Sequence, residues 1–187
     1  ITDEGLSVAT DGSGYVYLAG RTYSSNAIAT AGSHQSSVDG SGYDDAFLVK
    51  FDSDGVRKWG TYYGGSGEDY GSSVAIDNSG YVYLAGYTGS SNAIATTASH
   101  QNSFGGVNDA FLVKFNSDGV RKWGTYYGGS DNDKGNSVAT DGSGYVYLAG
   151  YTKSGNAIAT AGSHQNSLGG KSDSDAFLVK FESENSY

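Results

Sequence analysis

The chain has no cysteine, no proline and no methionine. Without cysteine there is neither a disulfide framework nor a thiolate metal site. No apolar run approaches the roughly 20 residues of a membrane-crossing helix. Basic residues are scarce: 11 Lys and Arg stand against 20 Asp and Glu, a formal net charge of −9. A field of that sign repels nucleic acid and anionic lipid, so no nucleic-acid partner and no membrane insertion is expected. Hydrophobic residues make up only 37%. In their place stand 30 glycines and 16 tyrosines. A tyrosine ring buries a large area and keeps a hydroxyl for hydrogen bonding, so a core built on it is polar at its edges.

The segment Ser7–Gly20 returns almost letter for letter at Ser73–Gly86 and Ser137–Gly150. A period of this length means that one supersecondary unit is copied and stacked. The copies divide the chain into residues 1–65, 66–129 and 130–187. Each copy reads as short strands separated by turn signals. Strand A is Ser7–Thr10, Ser73–Ile76 and Ser137–Thr140; strand B is Tyr15–Thr22, Tyr81–Thr88 and Tyr145–Thr152. Strand C is Asp45–Phe51, Asp109–Phe115 and Asp175–Phe181; strand D is Val56–Tyr63 and Val120–Tyr127. All are rich in Val, Tyr, Phe and Thr. Apolar residues fall on both faces of strands B and C, as in a sheet covered on both sides.

The expected fold is all-β: a β-propeller segment of about three four-stranded antiparallel blades, the last lacking its outer strand. The A–B and C–D connections are tight Asp-Gly or Asn-Ser-Asp-Gly turns, in which Gly supplies positive φ and the acid or amide folds back onto nearby amides. The B–C loops are long and the D–A loops are acidic. In an up-and-down blade those two loops share a face, and loops on a rigid scaffold are where binding residues usually sit. Eleven strands do not close a ring. Further blades of a larger parent protein, or other copies of the chain, are therefore the expected partners. The start at Ile1 rather than Met also suits a processed product or a piece of something longer.

Several motifs resemble the bacterial β-propeller repeat family SBBP. They are Asp109-Ala-Phe-Leu-Val-Lys-Phe115, Trp123-Gly-Thr-Tyr-Tyr-Gly-Gly-Ser130, and Ser137-Val-Ala-Thr-Asp141 with its Tyr-Val-Tyr-Leu-Ala-Gly-Tyr-Thr continuation. The resemblance covers nearly the whole chain. It implies a propeller from a secreted or surface-attached, often multidomain, bacterial protein, with no shared catalytic residues. Extracellular or cell-surface localisation is expected on that ground.

His34, His100 and His164 each sit in a Ser-His-Gln triplet on a B–C loop, followed by Gln35, Gln101 and Gln165. With no second ligand type beside them, packing or plain exposure is favoured over a metal role. Tyr23, Tyr87 and Tyr151 at the strand B exits either stack on sugar rings or cap the blade edges. These nine residues form the ligand-binding set. The D–A loops carry Asp3, Glu4, Glu68, Asp69, Asp131 and Asp133. Of these Asp69, Asp131 and Asp133 are weak Ca²⁺ candidates, solvated charge being the simpler reading, and no cofactor is expected. Arg57, Lys58, Arg121 and Lys122 on strand D read as charge that discourages edge-to-edge pairing. Near-identical blades place equivalent groups apart, whereas catalysis needs one asymmetric constellation. The expected function is therefore a non-catalytic scaffold or adhesion module binding proteins or surfaces. A glycan-binding lectin is the first alternative and a hydrolase or lyase the second.

Overall fold

A computed structural model describes residues 2–39, 42–170 and 174–184. Among the described residues eleven strands follow one another without a helix: β1 (Asp3–Thr10), β2 (Val16–Thr22), β3 (Asp45–Phe51), β4 (Arg57–Tyr63), β5 (Asp69–Ile76), β6 (Val82–Thr88), β7 (Asp109–Phe115), β8 (Arg121–Tyr127), β9 (Asp133–Thr140), β10 (Tyr145–Thr152) and β11 (Asp175–Glu182). They form three antiparallel sheets in the orders β1-β2-β3-β4, β5-β6-β7-β8 and β9-β10-β11. The fold is all-β, a partial propeller of three blades.

Strand A starts earlier than its Val- and Ala-rich stretch suggests. It begins at Asp3, Asp69 and Asp133 because the ladder continues through a bulge. The register slips between Gly5 and Ser7 in β1, and between Gly71 and Ser73 in β5. Gly20, Gly86 and Gly150 sit opposite this irregularity. A Cβ on Gly86 would lie 1.7 Å from the Tyr70 carbonyl oxygen, so only glycine lets the two chains approach so closely.

The tight turns form as their composition requires. Asp77 Oδ1 accepts from the Ser79 and Tyr81 amides at 2.9 and 3.0 Å, and Gly80 takes φ +78°. The carboxylate's second oxygen receives the Tyr83 hydroxyl at 2.8 Å, which ties turn to strand. Asp11 and Asp141 hold their turns through the same amide contacts.

The blades stack face to face. β5 packs against β1, β2 and β3, and β9 packs against β5, β6 and β7. One core cluster joins Tyr17, Ala46, Leu48 and Tyr63 to Val74, Leu84, Phe111 and Phe115. The other joins Tyr83, Leu112 and Tyr127 to Val138, Leu148, Phe177 and Phe181. Both lie between blades, since each sheet is too thin to hold a core of its own. Burying one such ring or Leu side chain contributes about 1.5–3 kcal/mol.

Arg57 and Arg121 do more than charge an edge strand. Their guanidinium groups donate to the Ala27 and Ala93 carbonyls, and so pin the B–C loop of their own blade. Ala27 and Ala93 hold φ of 70° and 66° at that place.

Candidate functional site

The polar side chains of the loop face concentrate where two blades meet. Asp45 opens β3 and Asp69 opens β5, and both are buried completely. Asp45 Oδ2 accepts from Gln35 Nε2 at 2.7 Å and from the Asp39 amide at 3.1 Å. Asp69 Oδ2 accepts from the Gly65 amide at 2.9 Å and from Ser90 Oγ at 2.8 Å. The second junction repeats the arrangement. Asp109 Oδ2 takes Gln101 Nε2 and the Gly105 amide at 3.0 and 2.8 Å. Asp133 Oδ2 takes the Gly129 amide and Ser154 Oγ, both at 2.7 Å.

Asp69 and Asp133 are therefore not solvated charge: they are interior acceptors stitching a D–A loop to its neighbours. Asp131 stays exposed, with its Oδ1 turned back to the Asn132 amide. Among the described residues no group of three or more His, Cys, Asp or Glu converges as a metal-binding set. Donors of N–H and O–H hydrogen already claim the inner oxygens of Asp69 and Asp133, which leaves those atoms poorly placed for a cation.

Burial shapes the chemistry of this acid pair. Desolvation raises Asp45 to about 7, helped by the Asp69 charge, while the amide of Asp39 and the side chain of Gln35 work against it. Asp69 and Asp109 are raised to about 6, again mainly by burial. The Oδ1 atoms of Asp45, Asp69 and Asp109 are buried without a hydrogen-bond partner, in keeping with the desolvation that favours their protonated form.

The histidines lie at the same junctions. The His34 ring packs 5.9 Å from Tyr63 of its own blade and 5.9 Å from Phe115 of the next. His100 packs 5.9 Å from Tyr127 and 5.6 Å from Phe181. Desolvation first, then the Arg121 charge, pushes His34 down to about 4, and burial lowers His100 as well. His164 is exposed. Gln35 and Gln101 give their amides to internal bonds, receiving the Gly64 and Gly128 N–H groups at 3.0 Å. Gln165 is exposed and reaches Asp175 at 2.6 Å.

The three tyrosines part company. Tyr87 is enclosed in a ladder that runs across blades. Arg21 sits 4.6 Å over Tyr70, Tyr70 stacks on Tyr87 at 4.5 Å, and Lys134 caps Tyr87 at 3.7 Å. Tyr151 is half-buried, and Tyr23 is 45% exposed.

The lysines of strand C also belong to these junctions, though nothing in their immediate sequence marks them as such. Lys50 Nζ donates to the Ser117 carbonyl of the next blade's turn at 3.0 Å and lies 4.1 Å over Tyr15. Lys114 Nζ donates to the Ser183 carbonyl at 2.7 Å and lies 3.7 Å over Tyr81. Trp59 and Trp123 send their indole N–H groups to the same two carbonyls. Recurrence of one Lys among the apolar residues of a two-sided strand was the available signal.

Four-stranded antiparallel blades, each seating its first strand on the face of the blade before, define a β-propeller scaffold. The particular kind follows from the comparison with known families. The family model described as the SBBP beta-propeller repeat matches residues 58–92 and 122–156, each match running from an outer strand into the following blade. Those two segments of the chain thus match the SBBP β-propeller repeat. A stretch of 139 residues is also similar, at 26% identity, to the regulatory protein FlaEY of Caulobacter vibrioides. That match covers 72% of this chain and 15% of the relative, so the chain spans a small part of that protein's length.

Proposed function

We propose that the chain is a non-catalytic scaffold of a secreted or cell-surface bacterial protein, an adhesion module that presents its loop face to proteins or surfaces. Further blades of the same kind take up its two open sheet faces, supplied by a second copy or by the rest of a larger polypeptide. The observation that carries this reading is the identity of the two junctions. At both, a serine hydroxyl of one strand A receives the valine amide of the next, Val74 to Ser7 and Val138 to Ser73, each at 3.1 Å. At both, a lysine of strand C caps the following turn.

The outer faces carry the unmatched halves of that set. Val8 is 65% exposed on one side; Leu178 is 72% exposed on the other, with Lys180 beside it. The buried acids and packed histidines are committed to holding blades together, which supports a non-catalytic reading. The relative is a regulatory protein by name, which also suits a module that offers a surface rather than turning over a substrate. Sedimentation of the isolated chain tests the assembly. A defined oligomer lost in Leu178→Glu supports closure by copies, and a clean monomer assigns the neighbouring blades to the same polypeptide. Loss of surface attachment after deleting the repeats tests adhesion.

A glycan-binding role is the second reading, and one observation favours it. Tyr23 and Tyr43 are both exposed on the first blade, where the Tyr23 hydroxyl also approaches Gly42. A glycan array with Tyr23→Ala as control tests it: no binding at high valency rejects the lectin.

A further inference from the structure

Arg121 is a cation without a counter-ion. Among the described residues no carboxylate lies within ion-pair distance of it, although acidic side chains outnumber basic ones by 20 to 11. Its Nη1 donates to the Ala93 carbonyl at 3.0 Å, which leaves most of the guanidinium's N–H donors unused. The group is half-buried, whereas Arg57, its counterpart in the first blade, is exposed. The B–C loop of the first blade makes the difference, because it brings Gly32 and His34 alongside Arg121.

Two clefts flank this Arg–His pair at the junction of the first two blades. One, of about 280 Å³, is lined by Gly32, His34, Gly119, Val120 and Arg121. The other, of about 420 Å³, has both Arg121 and Asp39 in its wall, together with His34, Ser36, Ser37 and Gly64. Arg121 and Asp39 thus face one space and yet form no ion pair with each other. The Asp39 carboxylate is exposed and accepts no hydrogen bond among the described residues; only its backbone amide is engaged, with Asp45 at 3.1 Å. The hydroxyls of Ser36 and Ser37 are likewise unused and exposed. His34, pushed down to about 4 by burial and then by the Arg121 charge, is neutral at pH 7, so Arg121 and Asp39 are the formal charges of the cleft.

The next junction repeats the framework without the charges. A cleft of about 330 Å³ is lined there by His100, Gln101, Ser103, Gly128 and Ala157, with Gly105 in the place of Asp39 and neither an acid nor a Lys or Arg in its wall. The opposed pair is therefore a feature of one junction, not a by-product of the repeat.

We propose that the cleft holding Arg121 and Asp39 is a binding site for a small zwitterion of the amino-acid type, its carboxylate on the Arg121 guanidinium and its ammonium on the Asp39 carboxylate. A planar guanidinium fork matches a carboxylate in geometry as well as charge. A simple anion would meet Arg121 but be repelled by Asp39, and a simple cation the reverse; a zwitterion answers both charges. The Ser36 and Ser37 hydroxyls, which donate and accept, serve the polar atoms beside them.

NMR of the whole chain tests this with glycine, β-alanine and γ-aminobutyrate, which hold the same two charges progressively further apart. Acetate and methylammonium, with one charge each, are the controls. The expected result is saturable perturbation of the His34 and Ser36–Asp39 amides by at least one spacing at millimolar concentration, with acetate and methylammonium about tenfold weaker. Arg121→Ala would also release the Ala93 carbonyl, so the deciding variant is Asp39→Asn, whose side chain holds nothing in the fold. There the zwitterion should weaken about tenfold while acetate binds at least as well as before. No saturable perturbation by any spacing at tens of millimolar overturns the site. So does acetate equal to the zwitterion in the parent chain, or equal perturbation around His100. The scaffold reading needs no such ligand, so it stands if this site falls.

Discussion

Asp45 and Asp69, from neighbouring blades, meet over Gly64. A Cβ on that glycine would come within 2.6 Å of Asp69 Oδ2 and 3.0 Å of Asp45 Oδ2. Gly128 stands in the same relation to Asp109 and Asp133. Two acids closed into one dry junction give the stack a pH dependence.

Burial holds Asp45 near 7 and Asp69 and Asp109 near 6, against an ordinary 3.8. The folded chain thus binds more protons than the unfolded chain between about pH 4 and 7. That stabilisation is complete below the unfolded value and is lost as pH rises through the folded ones. His34, lowered to about 4, and His100 act oppositely: they cost stability as pH falls below their unfolded 6.5. Three acids outweigh two imidazoles, so the urea midpoint should be higher at pH 5 than at pH 8. In Asp45→Asn the amide oxygen keeps the acceptor role and the NH₂ replaces the unpaired Oδ1. That variant should gain about 1–2 kcal/mol at pH 8 and little at pH 5. A flat wild-type profile between those limits would falsify the account.

Gly64→Ala should destabilise the chain by about 1–3 kcal/mol, since the added methyl overpacks two buried carboxylates that have nowhere to turn. Gly12→Ala is the control. Gly12 has open space at its Cβ position and no positive φ, so its urea midpoint should hardly move.

Ala98 holds φ +62°, and Gly32 and Gly162 fill the same loop position in the other blades with φ +78° and +83°. A Cβ in that conformation costs roughly 1–2 kcal/mol. Ala98→Gly should therefore raise the thermal midpoint, even after allowing for the larger backbone entropy of glycine when unfolded. A lowered midpoint would show that the alanine methyl contributes packing that outweighs its strain.

The Tyr63 hydroxyl donates to the Ile94 carbonyl of the following blade at 2.6 Å, and Tyr127 does the same to Ile158. Tyr63→Phe keeps the ring and leaves the carbonyl without this donor, at a cost of about 1–3 kcal/mol. Proteolysis within the Asn92–Ser99 loop should accelerate in parallel; an unchanged cleavage rate would mean that the loop's other bonds, Arg121 to Ala93 and Thr96 to Gly124 among them, hold it without Tyr63.

Strands B and C were legible because Tyr, Val, Leu and Phe alternate without interruption, and β3 and β7 begin and end where that pattern does. The opening of β1, β5 and β9 was not. Gly5 and Gly71 sit beside a bulge, so side-chain alternation breaks there and the segment carries the composition of a loop. The candidate site was harder to see. An Asp at the start of a strand looks solvated until the loops close over it, and its partners there lie 10 and 21 positions away in sequence, Gln35 for Asp45 and Ser90 for Asp69. His34 and His100 were expected to pack or stand exposed. Their ring partners, Phe115 and Phe181, belong to the following blade, which local sequence does not specify.

Lys50 reaches forward to Ser117, and Lys114 reaches forward to Ser183. The interaction has a polarity: every unit offers a plug on one side and a socket on the other. A unit duplicated or deleted in the gene would meet neighbours that already fit it. Copy number can then drift by recombination without any surface being reinvented, while a substitution that spoils one plug is felt at one seam only.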